Sequence, residues 1–255
     1  MLTFEMKLSA PYTPALHRTL RLREGQVVTG PLVSCLMVSR GDASPAAAAI
    51  ECYRRQSYAN RELVIVTAKR DSAVGALVAE LNDPTIRCHE VEDRVLGELR
   101  NFSVAQASGD FVCHWDDDDL YHQDRLALQM AAIAATGAKA CFLSRLLLWW
   151  PERELLRVSY GRTWEGSMVA DRSVVPVFPA LAREEDFYVV AKMAALHALV
   201  QIDYPMGYCY TVHDRNVNDE EHFERVFSRS SAIDDCATYT QALSLIGASL
   251  PVAGR

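Results

Sequence analysis

Between residues 33 and 136, short apolar runs alternate with segments of helical periodicity, and this rhythm is the strongest constraint on the fold. Val33-Ser34-Cys35-Leu36-Met37-Val38 reads as a buried strand, followed by a helix that opens at Ser44-Pro45 and runs to about Gln56. Leu63-Val64-Ile65-Val66 reads as a second strand. Ala73 to Leu81 reads as a second helix, stopped by Asn82-Asp83-Pro84. A weaker strand from Thr85 to Val91, a helix from Val95 to Ala107, a strand from Phe111 to Trp115 and a helix from about His122 to Thr136 complete the series. Such alternation predicts an α/β fold with a mostly parallel sheet flanked by helices. Ligands of such sheets bind beyond the carboxyl ends of the strands.

After about residue 137 the rhythm changes. Ala138 to Trp150, Leu155 to Tyr160 and Ser167 to Val175 read as strand pieces without intervening helices. A helix from Glu185 to about Leu196 and an apolar-rich segment from Leu199 to Val212 follow. The tail from Asp219 reads as helical, with Phe223, Val226 and Phe227 forming a stripe suited to core packing. Residues 1–30 lie outside the sheet pattern and are set apart as an extension. The other divisions are 31–137, 138–218 and 219–255.

Composition narrows the class. The 255-residue chain is half apolar and 23% charged, ordinary for a soluble globular protein of one large domain or two small ones. A net charge of −7 argues against a dedicated nucleic-acid binder, whose affinity rests on Lys and Arg. Seven scattered cysteines with no C-x-x-C pair point to reduced thiols and a cytoplasmic setting. The N-terminus shows no apolar core of a secretory signal. No apolar stretch reaches the roughly 18 residues of a membrane span. Leu146 to Trp150, stopped by Pro151, reads either as a buried strand or as an exposed contact for an acceptor or a membrane surface.

Four consecutive aspartates, Asp116 to Asp119, close the strand that starts at Phe111. Such a block repels itself unless a cation sits in it. Along an extended segment Asp116 and Asp118 would share one face, and Asp117 and Asp119 the other. Two carboxylates on one face suit a hard divalent ion such as Mg²⁺ or Mn²⁺, with positions left open for phosphate oxygens. The alternative is a solvated loop whose last Asp caps the following helix.

Other segments fall into a familiar order. Val33 to Arg40 looks like an opening strand and loop, and Gln56-Ser57-Tyr58-Ala59-Asn60 like a Gln-Thr/Ser-Tyr-x-Asn turn. Arg100-Asn101, Ala107-Ser108-Gly109-Asp110, Trp115-Asp116-Asp117-Asp118-Asp119 and Glu185-Asp186 follow in sequence. Over roughly residues 31 to 218 the series resembles the family-2 glycosyltransferases of the GT-A fold.

The resemblance implies an inverting, hexosyltransferase-like enzyme. It would move a sugar from a nucleotide-diphospho-sugar donor to a hydroxyl acceptor of unknown identity, with Mn²⁺ or Mg²⁺. It implies Asp116, Asp118 and His213 at the metal, and Ser39, Arg40, Asp71, Arg100, Asn101, Asp116 and Asp117 around the nucleotide sugar. Asp186 would be the catalytic base, with Glu185 as the substitute. The acceptor would be part of polysaccharide or glycoconjugate synthesis, met in the cytoplasm or at the inner membrane face. One segment departs from the pattern. Val66-Thr67-Ala68-Lys69-Arg70-Asp71-Ser72 stands where the family shows Val-Asp-Asp-Gly-Ser, which leaves the nucleotide base open. A non-catalytic relative that binds a sugar nucleotide or glycan is the alternative. A nucleotidyltransferase should carry a glycine-rich loop after its first strand, whereas Ser39 to Ala43 holds one glycine.

Overall fold

The computed structural model describes residues 2–9, 17–70, 72–233, 239–240 and 242. In chain order the first part comprises strands β1 (Leu2–Ser9), β2 (His17–Leu22) and β3 (Val33–Ser39), helix α1 (Ala43–Arg54), β4 (Arg61–Thr67), α2 (Ala73–Leu81), β5 (Ile86–Glu90), α3 (Leu96–Gln106) and β6 (Phe111–His114). The short β7 (Leu120–Tyr121), α4 (Arg125–Thr136), β8 (Ala140–Leu143), β9 (Leu147–Trp150), β10 (Leu155–Val158) and β11 (Val169–Asp171) follow. The last part is α5 (Glu185–Leu196), β12 (Leu199–Ile202), β13 (Tyr208–Thr211), α6 (Glu220–Ser228) and β14 (Ser231–Ala232).

A nine-stranded sheet, ordered β2-β1-β12-β8-β11-β6-β3-β4-β5, forms the centre. Strands β6, β3, β4 and β5 are parallel neighbours, as their alternation with helices requires. The sheet as a whole is mixed, because β11 enters antiparallel between β6 and β8. Near-continuous apolar runs such as Leu63 to Val66, all 0% exposed, mark strands covered on both faces. Helices α1, α2 and α4 pack one face and α3 and α5 the other. Sequence placed these elements within a few residues. Helix α1, though, starts directly after Asp42 rather than at Ser44, and no side chain caps it.

Residues 1–30 depart from expectation. Strand β1 pairs antiparallel with β12, with Met6 opposite Ile202, and β2 extends the edge. Without them β12 would present an unpaired edge. The signal for this pairing lies about 190 residues away in β12, so local alternation could not reveal it. The sheet also draws strands from both sides of residue 137.

A second, five-stranded sheet, β14-β10-β9-β13-β7, stands over the carboxyl end of β6. Leu146 to Trp150 enters it as β9, and Leu146, Leu147, Leu148 and Trp150 are buried. Phe223 and Phe227 of α6 pack edge-on against Trp150, so that stripe is core. No helix among the described residues is long and apolar enough to cross a membrane.

Candidate active site

Strand β6 is anchored where it ends. Trp115 is fully buried, its backbone N–H donates to Leu36, and its indole donates to the Ala49 carbonyl at 3.0 Å. The chain then turns at Asp117-Asp118 and returns as β7. This turn overrides the expected alternation, and the four carboxylates fan out to different partners. Asp116 Oδ1 accepts from Arg100 Nη2 at 3.2 Å, and its Oδ2 lies 3.3 Å from the Tyr208 hydroxyl. Asp117 accepts from Ser39 Oγ at 2.5 Å. Asp118 Oδ2 faces His213 Nε2 at 3.0 Å and Asn216 Nδ2 at 3.5 Å. Asp119 accepts from Tyr208 and, at 2.8 Å, from the Thr211 N–H. It therefore ties the aspartate turn to β13 and does not cap α4, which begins at Arg125.

The electrostatics follow from this crowding. Burial, then the charge of Asp118, pushes the Asp117 carboxyl up to about 7. Burial and the charges of Asp118 and Asp116 likewise raise Asp119 well above the ordinary range. Asp116 goes the other way: burial is the largest single influence and opposes its ionisation, but the interactions led by the Arg100 guanidinium together outweigh it and lower the pKa. His114, just below the block, is 1% exposed and pushed down to about 3 by burial and then Arg100, so it is a neutral core residue. His122 is also buried, and its Nδ1 accepts from the Asp124 N–H.

Arg100 and Asn101 serve the architecture. Arg100, 8% exposed, donates from Nε to Glu185 at 2.8 Å and from Nη2 to Asp116. It thus joins the start of α5 to the aspartate block. Glu185, 2% exposed and engaged by Arg100, is poorly placed as a substitute base. The Asn101 amide clamps Phe178, donating to its carbonyl at 2.9 Å and accepting from its N–H at 2.8 Å. The Asn101 amide thus engages Phe178 with both its oxygen and its nitrogen, and two of the five Arg100 N–H groups are taken up inside the fold. One turn earlier, Gly97 donates to the Leu181 carbonyl, and a Cβ built on Gly97 would fall 1.9 Å from the Pro179 carbonyl oxygen. Gly97→Ala should therefore cost about 1–3 kcal/mol of stability, since backbone must shift to admit the methyl. A melting temperature equal to the parent's would contradict that close approach.

Helix α5 carries Asp186 in its first turn. The preceding Glu184 adopts the left-handed conformation (φ 60°, ψ 13°), a strained choice for a side-chain residue, and it turns the chain into the helix. Asp186 is half-buried and accepts from the Phe187 N–H. Burial raises its carboxyl to about 6; Arg100 opposes this, while Glu185, Glu165 and Asp116 add to it. The same neighbourhood reaches Tyr210, whose pKa is raised by burial and then by Asp119, Asp118, Asp116 and Asp186. Arg100 thus joins Asp116 to the first turn of α5, which carries Asp186, and His213 meets Asp118, beside the expected cleft at the carboxyl end of β6.

Beyond β13, His213 is fixed by its own loop. Its Nδ1 accepts from the Arg215 N–H, which leaves Nε2 facing Asp118, and Asn216 Oδ1 accepts from the His213 N–H. Arg215 pairs with Asp42 at 2.7 Å, linking this loop to the segment after β3. Ser39 reaches the cleft through Asp117, whereas Arg40 is exposed. Asp71 lies outside the described residues.

A metal fits this donor set in one particular way. The Asp118 oxygen and His213 Nε2, 3.0 Å apart, suit Mn²⁺ or Mg²⁺ as partial ligands once Nδ1 gives up the Arg215 N–H and takes the ring proton, because a neutral imidazole offers one lone pair. Among the described residues no group of three His, Cys, Asp or Glu side chains is preassembled around a cation position. The residues therefore fit an ion whose sphere substrate oxygens complete, rather than an all-protein cage. A shallow hollow lined by Val104, Asp110, Phe111, Asp171, Arg172 and Ser173 lies at the amino end of β6 and gathers none of these groups.

Sequence reasoning did not single out Tyr208 or Arg125. Tyr208 is an alternate residue of β13, and Arg125 one charge at the head of an apolar helix. Neither position is distinctive without the fold.

Comparison with known proteins places part of the chain in a family. The family model described as glycosyl transferase family 2 matches residues 34–152. That stretch is a family-2 glycosyltransferase domain. The succinoglycan biosynthesis protein ExoO of Rhizobium meliloti (strain 1021) is 30% identical over 110 residues. The match spans 43% of this chain and 32% of that relative. Among solved structures, S. aureus TarS 1-349 superposes with a TM-score of 0.59 at 18% identity, covering 84% of this chain and 70% of that one. The mannosyltransferase PcManGT from Pyrobaculum calidifontis, solved with GDP-Man and Mn²⁺, gives 0.58 at 16% identity, covering 86% and 70%. At these identities the structural likeness establishes the GT-A fold, and the family-2 assignment rests on the sequence match.

Proposed function

We propose that the chain transfers a sugar from a nucleotide-diphospho-sugar to an acceptor hydroxyl with inversion, in polysaccharide or glycoconjugate assembly. The observation that carries this reading is the Arg100 bridge, which holds the helix of Asp186 against the aspartate block. Leaving-group chemistry and proton removal must act on opposite sides of one anomeric carbon. In this reading Asp118 and His213 would line one wall of the cleft and Asp186 another. The donors named with related folds, UDP-GlcNAc with TarS and GDP-Man with PcManGT, support a nucleotide-sugar substrate.

Each residue then has a distinct task. Asp186 accepts the acceptor's proton as its oxygen attacks. A carboxyl raised to about 6 is ionised near neutrality yet more basic than an ordinary aspartate. Asp118 and His213 would hold a divalent ion, which supplies positive charge to the departing diphosphate. Asp117, held by Ser39, forms the wall nearest the loops after β3 and β4, where the nucleoside would lie. Arg100 keeps Glu185 and Asp116 in place and works through them.

Calorimetric titration of UDP and GDP with and without Mn²⁺ tests the metal wall. Asp118→Asn should remove the Mn²⁺-dependent gain in affinity while leaving the melting temperature near the parent's, because Asp118 sits in a turn and not in the core. A mutant that keeps the full gain would move the metal away from Asp118.

A further inference from the structure

Arg125 is among the largest fully buried side chains, 1% exposed, and nothing above uses its charge. It opens α4 and runs under the aspartate block. Its guanidinium carbon lies 5.3 Å from the Trp115 ring, 4.6 Å from Tyr121 and 5.0 Å from Tyr208. Nε donates to Gln129 Oε1 at 3.1 Å, and Nη2 to the carbonyls of His114 and Gly166 at 3.1 and 3.4 Å. Nη1 is buried with no hydrogen-bond partner among the described residues. Every one of these acceptors is neutral. A buried cation without a carboxylate partner is strongly unfavourable unless negative charge stands nearby.

That charge stands one layer away. The tyrosines that cage Arg125 are the ones that hold the acids: the Tyr208 hydroxyl donates to Asp119 and lies 3.3 Å from Asp116, and the Tyr121 hydroxyl donates to the Asp116 carbonyl at 3.1 Å. The rings of Tyr121 and Tyr208 pack 4.9 Å apart, so the cage is continuous.

We propose that Arg125 is a second internal counter-ion of the Asp116–Asp119 block, acting through the tyrosine layer where Arg100 acts by direct contact with Asp116. Its permanent charge weakens the block's hold on a divalent cation, so that the cation is held firmly only when a nucleoside diphosphate shares it. The inference rests on the metal reading above, and it agrees with the absence of a preassembled three-ligand cluster among the described residues. It gives metal and nucleotide a reason to arrive and leave together.

The test is Mn²⁺ binding by the whole chain, read from the paramagnetic resonance signal of free Mn²⁺, without nucleotide and with UDP or GDP. Arg125→Met removes the charge and keeps an apolar stem. It should bind Mn²⁺ about tenfold tighter or more without nucleotide, by the Coulomb term a lost positive charge leaves behind. Its melting temperature should also rise further on adding Mn²⁺ than the parent's does. Arg125→Lys keeps the charge and loses the planar fork, so its Mn²⁺ affinity should match the parent's even if stability falls. Parent-like or weaker Mn²⁺ binding by the methionine variant overturns the proposal. Should that variant fail to fold, the lysine variant decides: matched affinity supports a counter-ion, and weakened affinity overturns it in favour of geometry. A parent that binds no Mn²⁺ even with either nucleotide present removes the metal reading together with this one. A parent that binds Mn²⁺ only alongside a methionine variant no tighter than itself removes this inference alone.

Discussion

Asp186→Asn is expected to slow sugar transfer by about two to four orders of magnitude, the usual weight of a general base, while donor affinity stays near the parent's. The amide keeps the shape of the carboxylate but cannot take a proton. The parent's kcat/KM should rise with pH through about 6 and level off above it, because only the ionised Asp186 is competent and its carboxyl is raised to about 6. That acid limb should be missing from the variant's residual activity. Stability carries a second signature. A raised carboxyl pKa means the folded state holds the proton more tightly than the unfolded one, so ionising Asp186 costs stability as pH climbs from about 4 to above 6. The asparagine variant should therefore melt no lower than the parent above pH 6, and the advantage should vanish in acid. A base that burdens the fold is the mark of a functional carboxylate. A helix-terminus carboxylate that merely balanced the dipole would show the reverse, melting lower when replaced.

The other large effect belongs to Arg100. Arg100→Met should lower stability by about 3–5 kcal/mol, the cost of leaving a buried charge without its partner. Glu185, 2% exposed, loses its ion pair, and Asp116 loses the cation that holds it ionised. Arg100→Lys should recover only part, since one ammonium cannot span Glu185 and Asp116 as the guanidinium does. Chemical denaturation gives the stability, and UDP titration separates the roles. A diphosphate ligand would lose nucleotide affinity with little change in stability. The bridge predicts the opposite order: a large stability loss first, and weaker binding as its consequence.

What could be read beforehand was local. Apolar runs bounded by turn residues located β3, β4 and β6, and the motif series singled out both Asp118 and His213, which meet although 95 residues separate them. What could not be read depended on neighbours distant in sequence. The β1–β2 edge needs β12, and the insertion of β11 reverses direction inside a sheet that looked parallel from its first half. The alternation expected of Asp116 to Asp119 held only while the segment was imagined as extended. A turn at Asp117-Asp118 sends each carboxylate to a different partner. Arg100 and Asn101 were legible as a motif but not as a task. Their side chains point to Glu185 and Phe178, and nothing in the order of residues says so.

The reading stands or falls on nucleotide release. The full chain, incubated with UDP- and GDP-sugars and a panel of glycan acceptors, should release nucleoside diphosphate from at least one donor. That release should require Mn²⁺ or Mg²⁺, and it should be lost in Asp118→Asn and sharply slowed in Asp186→Asn. Release that persists in a metal chelator, or that survives both substitutions, would contradict glycosyl transfer at this cleft, and so would a parent that releases nothing from any donor.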